Sequence, residues 1–243
     1  GHSMGGLVSK LQTLESGDDF WQIATDRPFD QLEASDDARR TMAETFFFDP
    51  NHSIRRVVTI GTPHRGSEFS NSTTQYLGRM LIEMPSKIVR NRNHLFRDNP
   101  EYFHDTRLLA IDTSIESLAP DSPMLPVMLA GRTAPHVEYH NIVGVLSDDS
   151  MVGSFSAKGD GVVNYSSSHL EHVSSEQIVE ADHIHIHRHP RSILEVRRIL
   201  LEHLNDIQRK GFVAGPLDRA IYPATTGQGP PGNIRRRGLT SLQ

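Results

Sequence analysis

Hydrophobic residues recur with helical spacing at several places along the chain. Leu7, Val8, Leu11 and Leu14 follow one face of a helix, which predicts a helix over residues 4–15. The same kind of pattern predicts four further helices: Asp36–Phe47, 73–91, 107–118 with Pro120 after it, and a long amphipathic helix from Pro190 to about Lys210. A proline in the first turn suits the start of that last helix.

Three short runs have the composition of buried strands. They are Ile54–Ile60, which Gly61 and Pro63 close, then about Tyr139–Val145, and then about Glu176–Glu180. Strands that alternate with helices predict an α/β fold with a parallel sheet and flanking helices. Residues 17–36 are rich in aspartate and are predicted to form a surface loop or a short lid.

The composition changes near residue 211. From there to residue 243 the chain carries four prolines, the stretch "GQGPPG" and the basic run Arg235–Arg237. Such a segment buries too little apolar surface to fold by itself. We therefore divide the chain into an α/β domain over residues 1–210 and a disordered tail over 211–243.

Composition also excludes several classes of function. The net charge of −5 gives no reason to expect nucleic acid as a partner. The absence of cysteine excludes disulfides, thiolate metal sites and a cysteine nucleophile. No apolar run approaches the roughly 20 residues of a transmembrane helix. At 243 residues, 36% of them hydrophobic, the chain is long enough to bury a sizeable core.

The chain opens with "GHSMG", which fits the pattern G-x-S-x-G around Ser3. In that pattern the serine lies on a sharp turn between a strand and a helix, and the turn exposes its hydroxyl. Small residues on both sides allow neighbouring backbones to approach the turn. The alternative is a flexible Gly/Ser terminus, because so short a pattern also arises by chance.

Two further candidates follow the later strands, where sites in open α/β sheets collect. Asp160 lies between two glycines in the segment that follows the predicted strand Tyr139–Val145. Asp148 and Asp149 are alternatives nearer the end of that strand. His183 comes first after the last strand. His185, His187 and His189 compete with it, and in an extended segment all four histidines would share one face, as in a metal site.

The order Ser3, Asp160, His183 is that of the α/β-hydrolase triad. The chain resembles the C-terminal part of a lipase/esterase-like α/β-hydrolase and is similar to bacterial relatives of the esterases that deacylate glycolipid anchors. Four stretches carry this resemblance: "GHSMGG", "TPHRGS", "GDGVVNYSSSHL" and "ADHIHIHRHPRSILEVRRIL". In the family the "TPHRGS" loop lies beside the pocket, so His64 is not expected in the triad.

The resemblance implies a role for each residue. Ser3 would be the nucleophile, His183 its base and then the acid for the leaving group, and Asp160 the group that orients the imidazole. The backbone N–H of Met4 would donate to the oxyanion. No cofactor and no metal are implied, and the expected substrate is a small-molecule or lipid ester. An acyltransferase on the same fold, or a non-catalytic interaction module, is the alternative.

The resemblance also implies about five strands before Ser3, which this sequence does not contain. We therefore expect a fragment that begins at the nucleophile turn. Its turn would lack the support of the preceding strand, and it would lack the second oxyanion donor that the family takes from an early loop. On this basis we expect the chain alone to be unstable and to show little or no activity.

Overall fold

The computed structural model describes residues 1–67, 95, 97–99, 101–106, 118–146 and 159–210. The chain divides into two units, Gly1–Gly211 and Phe212–Gln243, and the second contains none of the described residues. The predicted tail over 211–243, the helix over 73–91, nearly all of the helix over 107–118, and Asp148 and Asp149 therefore lie outside the described residues.

The described part of the chain alternates helices and strands. In chain order these are α1 (Met4–Leu11), β1 (Leu14–Glu15), α2 (Asp19–Gln22), α3 (Asp36–Phe46), β2 (Arg56–Ile60), α4 (Met124–Ala130), β3 (Arg132–Thr133), β4 (Glu138–Val145), α5 (Tyr165–Ser168), β5 (Ser175–Glu180) and α6 (Pro190–Lys210). Two 3₁₀ turns lie at Phe29–Gln31 and Ile186–Arg188. This is an α/β arrangement, as the sequence predicts.

Among the described residues the main sheet has the parallel order β2-β4-β5. Ile60 pairs with Ile142, and Val145 pairs with Glu180. The central strand β4 is buried from His140 to Val145, which suits a strand covered on both faces. All three strands run the same way, so their carboxyl ends lie at one edge of the sheet.

The first residues of the chain extend this sheet beyond β2. His2 forms a parallel bridge with Ile60, whose N–H donates to the carbonyl of Gly1 at 2.9 Å. The N–H of Ser3 in turn donates to the carbonyl of Ile60 at 2.9 Å. The turn at Ser3 is therefore bonded to β2, a support that the sequence analysis did not predict.

Residues 17–36 differ from the predicted surface loop or lid. They contain α2 and a 3₁₀ turn, and Phe20, Trp21 and Leu32 are buried. Trp21 lies edge-on to Phe29 and Phe46, with ring centroids 5.1 and 5.3 Å apart. The aspartates of residues 17–36 face the solvent, and the aromatic side chains of the same residues help to form a core.

One further predicted bound was wrong, and one helix was not predicted. The first helix ends at Leu11, and Leu14–Glu15 instead pairs antiparallel with Arg132–Thr133. Helix α4 was not predicted at all, because Pro126 lies within it and reads as a helix breaker. The long C-terminal helix runs from Pro190 to Lys210 as predicted. Within the described residues, no helix combines the length and the apolar character needed to span a bilayer.

The contact between α1 and the loop after β2 depends on Gly6. A Cβ at Gly6 would lie 2.8 Å from Thr62 Cγ2 and 2.9 Å from Thr62 Cβ. Thr62 is fully buried and β-branched, so it has little freedom to move away. At the neighbouring Gly5, a Cβ would meet no heavy atom within 4 Å among the described residues.

These two glycines give a matched test of the packing. We expect Gly6→Ala to lower the free energy of unfolding by about 1–3 kcal/mol, because the added methyl overpacks the contact with Thr62. Gly5→Ala should leave stability unchanged or raise it by about 0.5–1 kcal/mol, since alanine favours the helix. Urea unfolding of both variants measures the difference. Equal effects of the two substitutions would contradict the close contact of α1 with Thr62.

Candidate active site

Ser3 lies on a sharp turn between the strand segment at Gly1–His2 and helix α1. Its backbone angles are φ 55° and ψ −131°, a conformation that non-glycine residues rarely adopt. The bonds to Ile60 on one side and α1 on the other hold this turn. The structure therefore has a hydrogen-bonded turn at Ser3 and not the alternative, a flexible Gly/Ser terminus.

The glycines around the turn have different roles. A Cβ at Gly1 would lie 2.6 Å from the nitrogen of Gly6, so this position requires glycine. The last glycine of the G-x-S-x-G pattern, Gly5, has no such contact among the described residues, whereas Gly6 next to it does. The small residue that the turn needs after the serine is therefore Gly6.

The ring of His183 lies between Ser3 and Asp160. Its Nε2 is 2.9 Å from Ser3 Oγ, and its Nδ1 is 2.6 Å from Asp160 Oδ2. A carboxylate can only accept, so the ring proton lies on Nδ1 and Nε2 is left to accept from the serine hydroxyl. Each of the three residues is at most 2% exposed. The three residues that the sequence singles out are thus brought together in one buried chain of hydrogen bonds.

The carboxylate of Asp160 is held by its own loop. Its Oδ1 accepts from the N–H groups of Val162 and Val163 at 3.1 and 2.8 Å. The backbone carbonyl of Asp160 accepts from the N–H of His183 at 3.0 Å. Asp160 is therefore both a turn residue and the hydrogen-bond partner of His183.

Two glycines allow the acid and the base to come this close to the sheet. Gly61, at φ 54°, follows β2, and a Cβ there would lie 3.0 Å from Asp160 Oδ2 and 3.4 Å from His183 Nδ1. Gly144 lies within β4, and a Cβ there would lie 2.7 Å from the Cβ of Asp160. Any larger residue at either position would push the carboxylate away from the ring.

The competing histidines are placed differently from one another. His185 is exposed and contacts the carboxylate of Asp182 at 2.8 Å, while His187 packs against His2. His187 lies within the 3₁₀ turn Ile186–Arg188, so the segment is not extended and the predicted alternation of the four histidines does not hold. In the described ranges, no group of three or more His, Cys, Asp or Glu is placed to hold a metal ion.

The backbone N–H of Met4 lies at the start of α1. The first amides of a helix have no carbonyl one turn earlier to bond. They also lie at the positive end of the helix dipole, which stabilises a nearby negative charge. Helix α1 begins directly after Ser3, so the N–H of Met4 is the first of these amides.

His64, in the loop after β2, is not part of this hydrogen-bond chain. It is 2% exposed, and neither ring nitrogen has a hydrogen-bond partner among the described residues. Burial, and then the positive charges of Lys10 and Arg65, lower its pKa to about 3. Burial likewise lowers the pKa of Lys10 to about 8. His64 is therefore a neutral buried ring between two cationic residues.

Sequence reasoning missed two residues beside the site. His2 was treated only as a variable position of the pattern, although its ring packs against that of His183, with centroids 4.9 Å apart. Its place directly before the serine is the signal that could have identified it. Lys10 was not singled out in the sequence, although it is only 6% exposed. Nothing in its local sequence indicates this burial, which comes from the packing of α1 on the loop after β2.

No family model matches the chain, and no curated protein matches it. Among solved structures, the chain is similar to a lipase of Staphylococcus hyicus, with a TM-score of 0.41 and 14% identity, over 87% of this chain and 70% of that one. It is also similar to lipase 1 of Pelosinus fermentans, with a TM-score of 0.38 and 14% identity, over 75% of this chain. The matched region spans 64% of the Pelosinus lipase.

The neutral state of His64 predicts how stability depends on pH. The pKa of His64 is about 3 in the folded chain, against an ordinary histidine value of 6.5 in the unfolded chain, so between these values only the unfolded chain binds this proton. Stability that is present above pH 6.5 is then lost as the pH falls toward 3, by up to about 1.4 kcal/mol per pH unit for one proton.

We expect His64→Leu to make this loss shallower, because leucine keeps most of the volume but binds no proton. Urea unfolding between pH 7 and pH 4 measures the slope. His172→Asn removes a histidine whose side chain is 95% exposed and serves as the control. An unchanged slope in His64→Leu would contradict the neutral buried state of His64.

Proposed function

We propose that the chain is a serine hydrolase of the lipase/esterase kind, which cleaves carboxylic esters through an acyl-enzyme. The observation that carries this proposal is the continuous hydrogen-bond chain from Ser3 Oγ through the ring of His183 to Asp160, with distances of 2.9 and 2.6 Å. A serine hydroxyl is a weak nucleophile unless a neighbouring base takes its proton. Here the base is already in contact with the hydroxyl.

In the first half of the proposed reaction, Ser3 Oγ attacks the carbonyl carbon of the ester. The hydroxyl proton moves to Nε2 of His183, which becomes an imidazolium. The carboxylate of Asp160 stabilises that cation without taking its proton. The tetrahedral intermediate then collapses, the bond between the carbonyl carbon and the alcohol oxygen breaks, and His183 gives its proton to the departing alcohol.

In the second half, water attacks the carbonyl carbon of the acyl-enzyme. His183 takes a proton from this water, and the bond to Ser3 Oγ then breaks as His183 returns the proton to the serine. The products are one alcohol and one carboxylic acid, and the side chains return to their starting state. The burial of Ser3, Asp160 and His183 supports this scheme, because charge interactions are stronger where water is excluded.

The oxyanion of each tetrahedral intermediate would accept from the N–H of Met4 at the start of α1. This donor is part of the backbone, and the turn at Ser3 fixes it, so it needs no rearrangement during the reaction. Loss of one oxyanion donor costs about 10²–10³-fold in rate in measured cases. The test therefore follows acylation, which needs only one attack by Ser3 on one ester molecule, and not steady-state turnover alone.

Single-turnover release of nitrophenolate from p-nitrophenyl butyrate tests the proposal. With enzyme in excess, we expect a Ser3-dependent release that Ser3→Ala and His183→Ala each reduce by about 10⁴-fold or more, because the members of the triad act as a unit. Each alanine variant of His185, His187 and His189 should have a much smaller effect, since none of the three contacts Ser3 in the structure.

Ser9→Ala is the matched control for the nucleophile. Ser9 lies on the same helix, and its hydroxyl donates to the carbonyl of Gly5 at 2.8 Å. This variant should release nitrophenolate at the rate of the unaltered chain. Release that is unaffected by Ser3→Ala would refute the proposed nucleophile. A loss as severe in His185→Ala as in His183→Ala would refute the proposed base.

A further inference from the structure

His2 connects the strand segment that carries the serine to the loop that carries the base. Its Nε2 lies 2.9 Å from the backbone carbonyl oxygen of His183. Its ring also packs between two others, with centroids 4.9 Å from that of His183 and 4.8 Å from that of His187. Because His2 directly precedes Ser3, this contact joins the two loops that must bring the hydroxyl and the imidazole together.

The contact fixes the state of the His2 ring. A carbonyl oxygen can only accept, so Nε2 of His2 carries a proton and donates it. Burial, and after it the neighbouring rings of His183 and His187, lower the pKa of His2 to about 4, against the opposing effects of its hydrogen bond to the His183 backbone and of Asp160. At neutral pH the ring is therefore uncharged. It adds no positive charge beside His183, which becomes a cation in the proposed reaction.

The backbone of His183 is bonded on both sides. Its N–H donates to the carbonyl of Asp160 at 3.0 Å, and its carbonyl accepts from His2. The first bond fixes His183 relative to the acid, and the second fixes it relative to the strand that ends at Ser3. A small displacement of a reacting group costs a large part of the rate, so both bonds matter for the distance between Ser3 Oγ and His183 Nε2.

We propose that His2 is a positioning residue, whose Nε2–H···O=C bond to His183 sets the separation between the nucleophile and the base. This inference rests on the function proposed above for Ser3 and His183. It assigns to His2 no contact with the substrate. Its effect on the reaction passes entirely through the backbone of His183.

Two substitutions separate the hydrogen bond from the packing of the ring. Gln can place its amide nitrogen near the position of Nε2 and keep the donor, but it loses the ring. Phe keeps a ring of similar size but has no donor. We expect His2→Phe to lower the rate of acylation about ten-fold, the effect of losing one hydrogen bond, with KM unchanged. His2→Gln should retain most of the rate, and His185→Ala serves as the unaffected control.

A second measurement does not depend on activity. The proton on Nδ1 of His183, shared with Asp160 at 2.6 Å, should give a far-downfield NMR resonance in the unaltered chain. We expect this resonance to persist in His2→Gln and to broaden by exchange with water in His2→Phe. The same resonance in Ser3→Ala shows whether the His183–Asp160 pair forms even if the chain hydrolyses no ester.

The outcomes distinguish the two proposals. If Ser3→Ala leaves ester cleavage unchanged, the proposed function fails, and the resonance still reports whether His2 positions His183. An equally sharp resonance in the unaltered chain and in His2→Phe would overturn the positioning role. A loss of rate in His2→Gln with a full rate in His2→Phe would also overturn the positioning role. The packing of the ring, and not the hydrogen bond, would then account for the effect of His2 on the rate.

Discussion

The two backbone hydrogen bonds between Ile60 and the turn at Ser3 are the interaction on which the rest of the site depends. They place the serine at φ 55°, a conformation that costs free energy and persists only where the surroundings hold it. Strand β2 provides this support, and α1 begins directly after the turn. The close contact of Gly6 with Thr62 then fixes the helix against the loop after β2.

The parallel sheet brings the remaining groups to the same edge. Strand β4 lies between β2 and β5, so the loops that follow these strands all emerge next to the turn at Ser3. Gly144 in β4 and Gly61 after β2 leave room for Asp160 and His183. The buried carboxylate is satisfied by Val162, Val163 and the imidazole. A buried polar network of this kind is stable only when each member has a partner.

Much of this arrangement could be predicted because it depends on local sequence patterns. The β-branched run before Gly61, the turn glycines around Asp160 and the spacing of the last helix each identify an element within a few residues. Ser3 follows from the G-x-S-x-G pattern, and Asp160 and His183 follow from their positions after predicted strands. Other features come from tertiary packing. Trp21 enters a core from a segment rich in aspartate, and the 3₁₀ turn Ile186–Arg188 breaks the alternation predicted for the histidines.

The most direct test of the account is to locate the adduct of a fluorophosphonate probe on the folded chain. Trypsin releases Gly1–Lys10, which contains both Ser3 and Ser9, and fragmentation of this peptide in a mass spectrometer tells the two hydroxyls apart. We predict that the probe labels Ser3 in the folded chain and that unfolding in urea abolishes the labelling. Labelling of Ser9 or another residue, or equal labelling of Ser3 in the unfolded chain, would contradict the proposal that the folded chain activates this serine.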